Sequence, residues 1–260
     1  MTIKNILKVS LLILMMLTMP SISINAQEKF KANQLTYSRV KTAYAEKEKG
    51  VLTQLKNKGY STSKWSALIR IFKKEAQLEV LISKNIKGPY QKVFEYKVCS
   101  SSGVLGPKRK EGDEQVPEGF YHINMFNPAS NFYLSLGLSY PNASDKVLSD
   151  KQHPGGSIFI HGNCVTIGCI PITDNFIKEL YVICVDARAN GQKEIPVHIY
   201  PFRMNDKLFE KEKLIYASNK KLISFWENLK VAYNAFEENH LLPSITVDAN
   251  GKYLFKGSKL

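Results

Sequence analysis

The sequence is poor in several features that would at once assign it to a class of protein. It has four cysteines, 15 glycines and 11 prolines in 260 residues, too few for a disulfide scaffold, a collagen-like helix or a disordered linker. Acidic residues are also scarce, since 23 Asp and Glu stand against 36 Lys and Arg and give a formal net charge of +13. The length is ample for one large or two small globular domains with a core of their own.

Long apolar runs are scarce near the N-terminus as well. The run Val9–Met19 has 11 residues, whereas a helix that spans a bilayer needs about 20. It follows Lys4 and Lys8 and precedes a short polar stretch that ends at Ala26. This order is typical of a secretory signal peptide. We therefore predict that residues 1–26 are a signal peptide cleaved near Ala26, and that the chain is exported with no stable membrane span.

Export changes what the positive charge indicates. In an intracellular protein it would suggest a nucleic-acid partner, but the lysines here are scattered without interleaved aromatic residues, so we predict no nucleic-acid binding. Anionic polymers or lipid head groups of a cell envelope are the more fitting partners of an exported basic chain. A solvated surface that keeps the protein soluble accounts for the charge equally well.

Periodicity divides the mature chain into three parts. A charged stretch from Phe30 to Lys58 has helical spacing with an expected break at Gly50, and an N-terminal helical segment is predicted over 27–62. Residues 63–204 are predicted to form a catalytic domain, and residues 205–260 a helical extension. The elements expected within the middle part are strands at Ser66–Phe72, Leu78–Ser83, Tyr90–Cys99, Ser157–Ile160 and Glu194–Tyr200, a long Gly/Pro-rich loop over 100–119, and a helix starting at Asp174 with Thr173 or Asp174 as its cap.

One short segment carries the residues best suited to chemistry, Ile160–Thr173 with the sequence IHGNCVTIGCIPIT. A cysteine is nucleophilic as a thiolate, which needs a neighbouring base or a positive field. His161 ends a predicted strand, and Cys169 follows eight residues later, so the two can face each other across a loop. Gly168 lets the backbone turn there, so that amides near Cys169 can meet an oxyanion. The helix that follows is expected to favour the Cys169 thiolate.

Two other interpretations of this segment remain open on spacing alone. A buried structural cysteine next to a core histidine is the usual meaning of an isolated pair. A zinc site formed by His161, Cys164 and Cys169 is the second, although the H-x2-C-x4-C spacing differs from paired C-x2-C ligands and no fourth ligand is near. The expectation is that the protein holds no metal and no cofactor.

The segment resembles the catalytic motif of the L,D-transpeptidase catalytic-domain (YkuD) family of exported bacterial enzymes that act on peptidoglycan. Further segments resemble the YafK-like (DpaA) branch of that family of murein L,D-transpeptidases, in order along the chain from about Val40 to Glu237. They are Val116–Tyr121, Asn127–Asn131, Tyr140–Asn142, Thr173–Asp174, Tyr200–Met204 and Phe225–Trp226. The resemblance implies an α+β fold with a mixed, mainly β core of sandwich or barrel type and helical additions at both ends.

The same resemblance implies roles for individual residues. Cys169 is the implied nucleophile that forms a thioester with a stem-peptide carbonyl, and His161 the implied base, oriented by a backbone carbonyl. Gly168 belongs to the oxyanion-forming turn, and the binding site includes Gly162, Thr166 and Ile167. Peptidoglycan stem peptides are the implied substrate, and the periplasm or the cell exterior the implied location. A non-catalytic cell-wall binding module that keeps the fold is the alternative from another class of protein.

One position departs from the wider family, where an arginine often follows the catalytic cysteine by two residues. Here the residue is Pro171, which supplies no guanidinium, and Arg203 or Arg109 is a candidate substitute. The YafK-like branch also lacks this arginine, which implies a hydrolytic alternative: an amidase that cuts the diaminopimelate–lysine link to an envelope lipoprotein. A free Cys169 leaves room for one disulfide among Cys99, Cys164 and Cys184.

Overall fold

A computed structural model describes residues 28–256 of the chain. The predicted signal peptide over 1–26 lies outside the described residues. Within residues 28–256, no helix is both long enough and apolar enough to cross a membrane. The α+β class is confirmed, because one mixed eight-stranded sheet carries helices on both of its faces.

The elements follow one another in a regular order along the chain. In the N-terminal half they are helix α1 (Ser38–Asn57), strands β1 (Ser66–Phe72), β2 (Gln77–Ser83), β3 (Gln91–Lys97), β4 (Gly119–Asn127) and β5 (Ser135–Leu138), and the short helix α2 (Ala143–Leu148). In the C-terminal half they are β6 (Phe159–His161), β7 (Ile170–Pro171), α3 (Thr173–Ala189), β8 (Pro196–Tyr200), α4 (Asp206–Ile215), α5 (Lys220–Asn239), β9 (Ser244–Val247) and β10 (Tyr253–Lys256).

The sheet has the order β3-β2-β1-β8-β4-β5-β6-β7. Strands β1 and β8 pair in parallel, as do β6 and β7, and the other neighbours are antiparallel. All seven residues of β1 are buried, as expected for a central strand that is covered on both faces. The pair β6–β7 ends the sheet at the opposite edge from β3, so the segment with the chemistry lies at a sheet edge.

Two hydrophobic cores lie on the two faces of the sheet. Helices α1 and α3 cover one face, with Val40, Val51 and Leu55 of α1 packed into the same core as Ile177 and Leu180 of α3. Helix α1 continues through Gly50, whose missing Cβ faces no atom within 4 Å. The expected break at Gly50 is therefore wrong, and the chain turns instead at residues 35–37, because a solvent-facing glycine lowers helix propensity without forcing an end.

Helices α4 and α5 cover the other face together with the antiparallel ribbon β9–β10. The ribbon differs from the purely helical C-terminal region that was predicted. A turn signal at Asp248–Gly251 separates two short stretches rich in β-forming residues, a hairpin pattern that the predicted helical extension leaves out. Asn228 of α5 holds the ribbon, because its side-chain amide donates to the Tyr253 carbonyl at 2.9 Å and accepts from the Tyr253 N–H at 2.8 Å.

The long loop between β3 and β4 is tied down by a buried lysine. Lys73 Nζ donates to the carbonyl oxygens of Gly106 at 2.7 Å and Val116 at 2.9 Å, and it pairs with Glu118 at 2.9 Å. The other oxygen of Glu118 accepts from the Trp226 indole at 2.8 Å. Because a buried charge is tolerated only when it is paired and hydrogen-bonded, this network fixes the loop between the sheet and α5.

Candidate active site

The pairing of β6 and β7 brings His161 and Cys169 together. The two strands are parallel, with Ile160 opposite Ile170 and His161 opposite Pro171. Cys169 directly precedes β7, so the strand pairing places the two residues at the same edge of the sheet.

His161 is held in one orientation and one protonation form. Its side chain is buried, with 1% of the residue exposed, and its ring stacks on Phe132 with centroids 4.5 Å apart. Nδ1 lies 2.5 Å from the carbonyl oxygen of Gly162, and since a carbonyl can only accept, Nδ1 carries the proton and Nε2 has a free lone pair. Burial lowers the pKa of His161, with the Gly162 hydrogen bond acting in the opposite direction. The ring is therefore neutral and able to accept a proton at neutral pH.

Cys169 is a free, partly exposed cysteine whose thiol donates to the Ser157 carbonyl at 3.6 Å. Burial raises the pKa of this thiol, although a backbone hydrogen bond from Phe159 and the charge of Lys108 both act to lower it. The following helix does little to offset this effect of burial. Helix α3 begins only at Thr173, and a helix dipole acts over little more than its first turn. The resting pair is a neutral thiol and a neutral imidazole.

The loop between the two residues is closed by Thr166. Its hydroxyl donates to the Cys169 carbonyl at 2.8 Å and accepts from the Gly168 N–H at 3.1 Å. Gly168 has a φ of +129°, and a Cβ there would lie 3.1 Å from the Gln115 carbonyl oxygen. Of the predicted site residues, Gly168 and Thr166 thus shape the turn before Cys169, whereas Ile167 is 79% exposed at its tip. Gly162 lies beside His161 and donates to the Leu134 carbonyl at 3.2 Å.

A disulfide joins Cys164, in this loop, to Cys99 at the start of the long β3–β4 loop. The Cys99 N–H also donates to the Pro171 carbonyl at 2.9 Å, so Cys99 holds both β7 and the loop before it. Since Cys164 is oxidised, the zinc alternative built on His161, Cys164 and Cys169 is wrong. Cys184, the remaining cysteine, is free and fully buried on α3, where burial raises its thiol pKa.

The two arginines considered as substitutes at Pro171 are engaged elsewhere. Arg203 bonds Glu79 at 2.7 Å and lies over the Phe72 ring, and Arg109 pairs with Asp145 at 3.0 Å. Lys108 is the cation that acts on Cys169, and it is not among the residues predicted from the sequence. Its ammonium is held by Asp113 at 2.6 Å, and its Cε adjoins Gly155, two residues before the carbonyl that accepts from Cys169. The signal in the sequence that could have identified Lys108 is its position in the Gly/Pro-rich loop over 100–119.

A buried histidine that ends β6 and a free cysteine just before β7, joined by a loop that is tied down at several points, are the residue types of a cysteine–histidine acyl-transfer site. The family model of the L,D-transpeptidase catalytic domain, YkuD, matches residues 67–199, from β1 through the site to β8. The chain therefore belongs to the L,D-transpeptidase catalytic-domain family, whose members act on peptidoglycan, and it is an enzyme of this cell-wall-remodelling family.

Three known proteins illustrate what the chain is similar to. YafK of Escherichia coli strain K12, which carries an L,D-transpeptidase name, is 38% identical over 188 residues, covering 72% of this chain and 72% of the relative. Among solved structures, the helical cell shape determining protein Pgp2 of Campylobacter jejuni is 21% identical, covers 71% of this chain and 73% of its own, and has a TM-score of 0.42. Bd1075 of Bdellovibrio bacteriovorus is 19% identical over 71% of this chain and 78% of its own, with a TM-score of 0.38.

Proposed function

We propose that the chain is an exported cysteine acyltransferase that acts on peptidoglycan stem peptides through a thioester on Cys169. The observation that supports the proposal is a free thiol that directly precedes β7 and a buried histidine that ends the partner strand β6, with Nδ1 of His161 engaged by a carbonyl. That engagement leaves Nε2 to accept the thiol proton. A general base works best when its neutral form prevails at the working pH, which the burial of His161 ensures.

In the proposed reaction the proton moves only when the substrate arrives. As Cys169 Sγ attacks a diaminopimelate carbonyl carbon, its proton passes to His161 Nε2 and the carbonyl becomes an oxyanion. The oxyanion then collapses, the C–N bond breaks, and the proton on Nε2 passes to the leaving amine. The product is a Cys169 thioester, which an amine or a water molecule attacks in the second half-reaction. Lys108 acts by moderating the pKa of the Cys169 thiol.

Hydrolysis is the second candidate, and the observation that favours it is Pro171. This residue forms β7 at the position where much of the family has an arginine, and both Arg109 and Arg203 are bound to other residues. A site without a guanidinium close to the acyl group has no bidentate partner for a carboxylate of the acceptor stem. Water would then be the acceptor, and the substrate would be the diaminopimelate–lysine link to an envelope lipoprotein.

Mass spectrometry of the protein incubated with muropeptides tests the enzyme assignment. An acyl adduct is expected on Cys169 in the wild type and in Cys184→Ala, the matched control at the other free cysteine, and is expected to be absent from Cys169→Ser. Binding without any adduct or turnover would instead indicate a non-catalytic wall-binding module. Muropeptide profiles separate the two reactions, since new 3→3 crosslinks indicate transpeptidation and loss of lipoprotein-derived remnants on tripeptides indicates hydrolysis.

A further inference from the structure

The peptide group between Gly162 and Asn163 is hydrogen-bonded at both of its ends. Its carbonyl oxygen lies 2.5 Å from His161 Nδ1, and its N–H donates to Asp174 Oδ1 at 2.8 Å. In a trans peptide the C=O and N–H point in opposite directions, so His161 and Asp174 lie on opposite sides of one amide. Imidazole, amide and carboxylate thus form a single hydrogen-bonded chain.

The backbone around this amide is shaped to let the carboxylate approach. A Cβ on Gly162 would overlap Asp174 Oδ1 and would lie 2.7 Å from the Phe132 carbonyl oxygen. Asn163 has a φ of +61°, a left-handed conformation that asparagine adopts more readily than most residues. Thr173, immediately before the carboxylate, has a φ of +69°, which is a strained value for a β-branched residue. The chain therefore accepts unfavourable conformations on both sides of this contact.

The Asp174 carboxylate is directed to the loop rather than to its own helix. From the sequence, Thr173 or Asp174 is expected to cap α3, but the N-cap residue is Ile172 and no side chain caps the helix. This expectation is wrong because Oδ1 of Asp174 bonds the Asn163 amide instead. Asp174 lies in the first turn of α3, but its carboxylate bonds an amide eleven residues earlier instead of the amides of its own helix. The carboxylate therefore acts on the loop that contains Asn163.

We propose that Asp174 is a positioning residue for His161 and acts through the Gly162–Asn163 peptide group; this rests on the proposed function, in which His161 takes the Cys169 proton. A charged acceptor on the amide N–H increases the negative charge of the carbonyl oxygen, because hydrogen bonds in a chain polarise one another. The stronger acceptor keeps the proton on Nδ1 and stabilises the imidazolium that forms as Cys169 reacts. Through one intervening peptide group, Asp174 thereby has the role that a carboxylate bonded directly to the histidine has in a catalytic triad.

Three variants test the proposal. Asp174→Ala removes the acceptor, and Asp174→Asn keeps an oxygen acceptor but removes the charge. Asp206→Asn is the matched control, since Asp206 also lies in the first turn of a helix but pairs with Lys230 at 2.7 Å, away from the site. The first measurement is the ¹⁵N NMR spectrum of the histidine side chains in the free protein, with His161→Gln to assign the signals. The second is the rate of Cys169 alkylation by iodoacetamide at pH 7.

The variants are expected to separate charge from simple loop support. In Asp174→Ala the single Nδ1–H tautomer of His161 gives way to a mixture, and alkylation slows by about 10- to 100-fold, by analogy with the loss of an outer-shell partner of a metal-bound histidine. In Asp174→Asn the tautomer remains and alkylation slows several-fold, while the melting temperature stays close to that of the wild type. Asp206→Asn changes neither. The proposal is refuted if both Asp174→Asn and Asp174→Ala keep the wild-type tautomer and alkylation rate. It is also refuted if Asp174→Asn alone keeps the full wild-type alkylation rate.

These readings also distinguish failure of the proposal from failure of the proposed function. The tautomer of His161 is measured without substrate and does not depend on turnover. If Cys169→Ser still processes muropeptides, the proposed reaction fails, whatever the spectra of the Asp174 variants show. If Cys169→Ser is inactive and the spectra do not change in Asp174→Ala, the reaction stands and the positioning role of Asp174 fails.

Discussion

Removing the Cys99–Cys164 disulfide should destabilise the whole protein and loosen the site at the same time. The crosslink joins residues 65 positions apart. In the chain-entropy treatment, a closed loop of that length lowers the entropy of the unfolded chain enough to contribute about 4 kcal/mol at 25 °C. Domains of this kind unfold with about 5–15 kcal/mol, so the loss is a large share of the total.

Chemical denaturation measures the loss directly. The oxidised wild type and the double variant Cys99→Ser/Cys164→Ser are unfolded in urea, each with and without a reductant. The wild type should lose about 4 kcal/mol on reduction, whereas the double variant, which has no crosslink to reduce, should not change. Cys169 alkylation should slow in the double variant even at low denaturant, because Cys164 lies in the loop between His161 and Cys169.

A small effect would contradict this reasoning. If the free energies of unfolding of the oxidised wild type and the double variant differ by less than about 1 kcal/mol, the crosslink does not act on the unfolded chain as the entropy treatment requires. If stability falls but Cys169 alkylation keeps its wild-type rate, the disulfide supports the fold without positioning the loop. The Cys99 N–H bond to the Pro171 carbonyl would then be sufficient to hold β7.

Two further substitutions test separate parts of the structure. Burial lowers the pKa of His198 to about 3, from about 6.5 in the unfolded chain. The unfolded chain therefore binds a proton that the folded protein does not, and stability falls as the pH drops below 6.5. Between pH 7 and pH 4.5, His198→Gln should lose about 3 kcal/mol less stability than the wild type in urea titrations, and equal losses would show that the ring is not held neutral. Gly168 has a φ of +129°, and a Cβ there would lie 3.1 Å from the Gln115 carbonyl oxygen. Gly168→Ala should therefore lower the free energy of unfolding by about 1–3 kcal/mol and slow Cys169 alkylation. Gly156→Ala should do neither, because no atom lies within 4 Å of its added Cβ.

The features that could be predicted from the sequence are those with a local signal. The β-rich runs Ser66–Phe72 and Leu78–Ser83, separated by polar residues, predict β1 and β2 to within one residue of the observed bounds. The short loop between His161 and Cys169 predicts that the two can face each other across it, and the parallel pairing of β6 and β7 sets His161 opposite Pro171, two residues after Cys169.

The features that were missed depend on distant partners. Three cysteines besides Cys169 gave no preference for the Cys99–Cys164 pair, because that choice requires β7 to lie beside the end of β3. The raised thiol pKa follows from burial by surrounding elements, whereas the sequence showed only the nearby helix. Asp174 carried an ordinary capping pattern, and its contact with Asn163 exists because α3 packs behind the loop.

The loop between His161 and Cys169 has no helix or strand of its own, and its precision comes from other elements. Fixing the backbone of one residue costs about 1–2 kcal/mol, and the seven residues between His161 and Cys169 form no helix or strand. Asp174 holds one end of the loop, the Cys99 disulfide its middle, and the Gln115 backbone crowds its last turn at Gly168. These three anchors come from α3 and from two ends of the long β3–β4 loop. Each anchor acts on a different part of the loop. Losing one of them should therefore reduce the reactivity of Cys169 by more than that anchor's contribution to the free energy of unfolding would predict.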